Sequence, residues 1–166
     1  MVEKEEILKE KLTHSGVFNF SDFYSYAHSW LDEEDYGVSE EKYSEKVSGN
    51  SRDITIEWKV TKLASDYFKM GWKVEFDVEG LTDVEVEIDG KKKKMNKGKV
   101  TVDIKAALFK DPESKWESTP FNRLLREVYN KYIIPKRLEN MQERVISDVQ
   151  EFKEELKSFL ELTGKR

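Results

Sequence analysis

The stretch 68–79 leaves little freedom of fold. Phe68, Met70, Trp72, Val74, Phe76 and Val78 alternate with Lys69, Gly71, Lys73, Glu75, Asp77 and Glu79. A side-chain period of two held over that length describes a strand with one face in a core and the other in water. The pattern recurs at Ile54, Ile56, Trp58 and Val60, at Val84, Val86 and Ile88, and at Val100, Val102, Ile104, Ala106 and Leu108. Such runs predict an antiparallel meander of five to six strands over about residues 40–110. An apolar sheet face must be covered, so the fold class is α+β, with an N-terminal helix and a long C-terminal helix packed on that face.

The breaks between strands are read from turn chemistry. Residues 48–51 (Ser-Gly-Asn-Ser) and Asp89-Gly90 are turn sequences, the latter of type I′. A two-residue turn at Asp89-Gly90 fixes the pairing: Ile88 faces Lys91, Glu87 faces Lys92, Val86 faces Lys93, Glu85 faces Lys94 and Val84 faces Met95. Residues 80–83 and 96–98 read as two further turns, which separate short strands from longer ones.

Helices are expected before and after the sheet in the chain. Residues 3–13 can place Ile7, Leu8 and Leu12 on one side of a short helix that Ser15-Gly16 ends. In 19–33, Phe20, Phe23, Tyr24, Ala27, Trp30 and Leu31 form one continuous face, and Asn19 or Ser21 caps the start. Thr119-Pro120 begins a helix over 119–134, and Pro135 separates it from a long one over 136–162. There Leu138, Val145, Phe152 and Phe159 recur every seven residues, widened by Met141, Val149, Leu156 and Leu160. That stripe suits docking on the sheet. Its rival use is a coiled-coil seam with a second copy, a homodimer through the C-terminal helix. The chain of 166 residues is thus expected to form a single domain: a helical segment over 3–33, a sheet over 38–110 and two C-terminal helices.

Composition narrows function mainly by exclusion. With no cysteine, the chain carries neither a disulfide framework nor a zinc–thiolate or iron–sulfur site. A net charge of −5 argues against steering of the whole protein toward nucleic acid while leaving local basic patches open. The charged stretch 1–11 lacks the apolar centre of a signal peptide, and no run is apolar enough to span a membrane, so the expectation is a soluble cytoplasmic protein.

No reactive constellation stands out. There is no G-x-S-x-G elbow, and His14 and His28 are too far apart to form a metal pair on one helix face. The acidic run 32–35 lacks the alternate spacing and glycine of a calcium loop. Glu75 and Asp77, with Glu57, are the kind of carboxylate grouping that 34 acidic residues produce by chance. No cofactor and no metal are therefore expected, and an enzyme is the least favoured class. Two binding readings remain. Tyr24, Trp30, Trp58, Trp72 and Phe76 either fill the core or line a cavity for a small apolar ligand between sheet and long helix. Lys91, Lys92, Lys93, Lys94 and Lys97, together with Lys62, Lys69 and Lys73, could instead hold nucleic acid or an anionic membrane surface. Against the second reading, the hairpin register sets Lys92 and Lys94 opposite acids. The expected function is a non-enzymatic binding or interaction module, its partner a protein or a small apolar ligand.

Overall fold

The computed structural model describes residues 3–64, 68–110, 124 and 134–164. In chain order they form β1 (Glu3–Phe18), α1 (Phe20–Glu33), β2 (Gly37–Ser48), β3 (Ser51–Leu63), β4 (Phe68–Ile88), β5 (Lys91–Lys110) and α2 (Ile134–Gly164). The strands make a five-stranded antiparallel sheet in the order β1-β5-β4-β3-β2. Strands β2 to β5 are the expected meander, and β1 closes the far side of β5.

The inner face holds the predicted core. Phe68, Met70, Trp72, Val74, Phe76 and Val78 of β4 are all buried, as are Ile54, Ile56, Trp58 and Val60 of β3. Two helices share the cover. Helix α1 starts at Asn19, whose Oδ1 accepts the backbone N–H of Asp22 at 3.0 Å. It lies over β3 and β4: Phe23 meets Phe76 at 6.1 Å between ring centroids, and Tyr24 meets Trp58 at 5.2 Å. Helix α2 lies over β1 and β5. It buries Val145, Val149, Phe152, Leu156 and Leu160, the expected stripe, and meets α1 through Trp30–Phe152 and Tyr26–Phe159. No helix among the described residues is long and apolar enough to cross a membrane.

Residues 3–13 are a strand, not the expected helix. Ile7, Leu8 and Leu12 fit a helical stripe, but so short a helix is marginal alone, whereas β1 pairs with β5 from Glu3↔Lys110 to Phe18↔Asn96. Its alternation is hidden because its core-side positions include Glu10 and His14. Gln150 and Lys153 of α2 donate to Glu10 at 2.6 and 3.0 Å, which makes a charged residue tolerable there. Those two donors also hold the Glu10 carboxyl below its ordinary pKa, Lys153 contributing most. A bulge between Glu6 and Leu8 further offsets the pattern. Gly16 does not end the element but continues it opposite Gly98.

The expected turns at 80–83 and 96–98 are corrected in the same way. Strands β4 and β5 run unbroken for 21 and 20 residues, which makes the count five strands. The irregularity is a bulge between Glu79 and Thr82. Gly80 takes φ +61°, its N–H donates to Asp53 Oδ1 at 2.8 Å, and Leu81 drops into the core. Gly98 leaves room for this: a Cβ there would stand 3.1 Å from the Glu79 carbonyl oxygen. The Asp89-Gly90 turn is as expected, with φ of 50° and 77°, and all five predicted pairs of the hairpin are present. Val84, Val86 and Ile88 are only half-buried there. The expected helix over 119–134 falls almost wholly outside the described residues; Leu124 within it is 56% exposed.

Candidate functional site

Pairing fixes what stands beside what on the outer face. Lys59 of β3 is opposite Lys73 of β4, Lys73 is opposite Lys105 of β5, and Lys105 is opposite Lys9 of β1. Four ammonium-bearing side chains thus form one row across four strands, with neighbouring strands about 4.8 Å apart. Like charges directly opposite one another destabilise a sheet. None of the four lysines makes an ion pair among the described residues. All four are exposed.

Two residues along the strands in one direction lies a row of acids: Glu57, Glu75 and Asp103, flanked by Lys42 and Lys11. They are within diagonal reach of the lysines, about 7 Å away along the strand, and temper the repulsion without closing on it. In the other direction the next row is small: Thr61, Gly71, Ala107 and Glu6. Beyond it come Lys69, Phe109 and Lys4. The Phe109 ring lies down over Gly71; a Cβ at that glycine would stand 2.6 Å from Phe109 Cε2, so no other residue fits beneath the ring as placed. Lys69 Nζ sits 5.9 Å from the ring centroid on the same face.

These rows shape a groove of about 620 Å³ with a floor of Gly71, Ala107 and Phe109. Lys59, Lys73, Lys105 and Lys9 line one side, and Lys69 and Lys4 stand at the other end. Glu6 is the single acid among its described lining residues, against six lysines, and the acid row does not border it. The bulge in β1 brings Ile7 and Leu8 to its rim.

The residues singled out from the sequence lie elsewhere, apart from Trp72, Lys69 and Lys73. Tyr24, Trp30, Trp58, Trp72 and Phe76 gather on the inner face and stack on one another or on neighbouring rings. Trp58 meets Phe76 at 4.8 Å, Trp30 meets Phe152 at 5.3 Å and Trp72 meets Tyr36 at 4.6 Å. Trp72 also borders the floor of the groove from beneath. Tyr24 reaches the surface, where its hydroxyl donates to Glu40 at 2.7 Å. Lys91, Lys92, Lys93, Lys94 and Lys97 sit at the hairpin end of β5, away from the groove, with Lys92 opposite Glu87 and Lys94 opposite Glu85. The acids at 32–35 are exposed in the last turn of α1 and just beyond it. His28 packs edge-on against Trp58. His14 stands edge-on to Phe18; burial pushes its pKa down, and Glu161 partly opposes that.

The groove lysines Lys4, Lys9, Lys59 and Lys105 carry no local signal. The hairpin register, extended unbroken, would set Lys73 opposite Ala106; the bulge at Gly80-Leu81 moves it to Lys105. A register traced across that bulge would have exposed the row. Compared with known protein families, curated proteins and solved structures, the chain matches none.

Proposed function

We propose that the protein is a non-enzymatic binding module that holds a compact, phosphate-bearing ligand in the groove on the outer face of its sheet. The observation that carries this reading is the row Lys59–Lys73–Lys105–Lys9. Each neighbouring pair of ammoniums repels by up to about 1 kcal/mol in water-like surroundings, and nothing in the packing needs lysine there. An anion with several charged oxygens bridging the row turns that repulsion into attraction. The ligand is compact because Glu57, Glu75 and Asp103 close the positive field on one side, so a long polyanion running along the strands would cross an acidic barrier. The described lining has no histidine or serine and a single carboxylate, a composition suited to holding a ligand rather than transforming it.

The other sequence-derived readings have less behind them. An apolar ligand under α2 would compete with rings that already touch one another. Nucleic acid or a membrane surface on the 91–97 lysines would meet Glu85 and Glu87 across the hairpin. Calorimetric titration with inorganic tripolyphosphate at low ionic strength tests the proposal. One-to-one binding that weakens with salt is expected, lost in the double variant Lys73→Gln/Lys105→Gln and kept in Lys92→Gln/Lys94→Gln. No binding by the unaltered protein, or equal binding by the two double variants, overturns it.

A further inference from the structure

Resting on that reading, we infer that the ligand is a free nucleotide, its phosphates on the lysine row and its base stacked on Phe109. Phe109 is an aromatic ring on the face of the sheet that neither helix covers, and it is half-buried by lying on Gly71. An aromatic laid over a strand glycine repairs the gap that the glycine leaves. That alone accounts for the ring's position. It does not account for what surrounds the ring: Lys69 at 5.9 Å from its centroid, Lys4 directly opposite on β1, and the lysine row two residues along β4 from the glycine beneath it.

The spacing matches a three-part ligand. Phe109 and Lys105 are four residues apart on β5, but the ring reaches back over Gly71, two residues from Lys73, so ring and row are about 7 Å apart along the strand. That length accommodates a base on the ring with its sugar reaching to the row, where the phosphates would lie across the lysines. The sugar would lie beside the ring on the row Thr61–Gly71–Ala107–Glu6, over Ala107, whose minimal side chain gives room. At the ends of that row, the Thr61 hydroxyl and the Glu6 carboxylate are oxygens able to accept from sugar hydroxyls. The base would share the Phe109 ring with Lys69, a flexible cation that can swing toward the phosphates. The groove, about 620 Å³, is in the range of small-ligand pockets rather than of a strand-length channel.

The experiment compares adenosine triphosphate with inorganic tripolyphosphate on the full chain, by calorimetry without metal. Base stacking should make the nucleotide bind about tenfold tighter or more. Phe109→Leu should bring the nucleotide down to the level of tripolyphosphate and leave tripolyphosphate itself unchanged, and Phe109→Trp should restore the preference. Equal affinity of the two ligands for the unaltered protein overturns the nucleotide while leaving the anion groove in place. So does an equal loss of both in Phe109→Leu, or retention of the preference in that variant. A preference for a single-stranded oligonucleotide over the free nucleotide also overturns it. If tripolyphosphate itself fails to bind, the anion groove falls as well.

Discussion

Trp58 and Lys59 are neighbours on β3, and Trp72 and Lys73 are neighbours on β4; each pair straddles the sheet. The tryptophans are 1% and 2% exposed, and the lysines next to them stand in water. On the inner face apolar burial governs: large rings make close contacts and a charged intruder, Glu10, is satisfied by Gln150 and Lys153, although the indole nitrogens of Trp58 and Trp72 and Nε2 of His14 are buried without a hydrogen-bond partner. On the outer face the choices at 59, 73, 105 and 9 work against the sheet that carries them. The difference separates residues that make the fold from residues that the fold presents. Stability explains the first set and leaves the second unexplained, and a local cost that nearby acids only partly offset is what a binding site looks like.

The comparison can be broken most severely at α2. Ending the chain after Pro135 removes Val145, Val149, Phe152, Leu156 and Leu160, all buried, but leaves every groove residue in place. At roughly 1.5–3 kcal/mol for each buried side chain, the loss reaches the whole stability of an ordinary domain. The truncated chain should show no cooperative urea transition; a cooperative one would mean that the inner face stands without its helix.

Next in size, Trp72→Ala should lower stability by roughly 3–5 kcal/mol in urea denaturation. Lys73→Ala, one residue on, should change it by less than about 0.5 kcal/mol. Comparable losses at both positions would erase the distinction between the faces.

Alkaline pH probes the inner face through its tyrosines. The Tyr26 hydroxyl donates to Glu155 at 2.5 Å, and that bond together with burial pushes its pKa up to about 12. Tyr36, buried and donating to Asp148 at 2.6 Å, is pushed up further, with burial the larger cause. A raised phenol pKa favours the neutral form in the folded state. The associated stability is therefore fully present below the unfolded value near pH 10 and is lost as pH rises through the folded value. Stability should fall from about pH 10 upward, and Tyr26→Phe should flatten the part of the fall that ends near pH 12. An unchanged slope in that variant would show that the helix-to-helix contact does not hold the phenol neutral.

The smallest effect lies on the outer face. Lys73→Thr should stabilise the protein by a few tenths of a kcal/mol at low ionic strength, and the gain should vanish at high salt. A destabilising Lys73→Thr would make the row part of the structure after all.

Where the amino-acid sequence spoke clearly, the cause was local. Asp89-Gly90 specifies a turn whose geometry sets five residue pairs, and the alternation of 68–78 assigns its faces without reference to the rest of the chain. Asn19 and the apolar face of 20–31 define α1 in the same way. Strand β1 was illegible because Glu10 is acceptable in a core position only beside donors some 140 residues away. The aromatic residues of 24–76 were found but could not be told from a ligand cavity, since ring-to-ring contact depends on where two helices settle.

By itself, then, the sequence determined the buried faces of 54–60, 68–78 and 100–108, the α+β class, the hairpin register and the C-terminal helix. Tertiary structure alone decided that residues 3–18 form a strand, that 80–83 is a bulge and that Lys9, Lys59, Lys73 and Lys105 share a row. The physical reason is that burial pattern and turn type are properties of neighbouring residues. A row across a sheet instead compounds several registers, and a single bulged residue in one strand shifts every pairing beyond it.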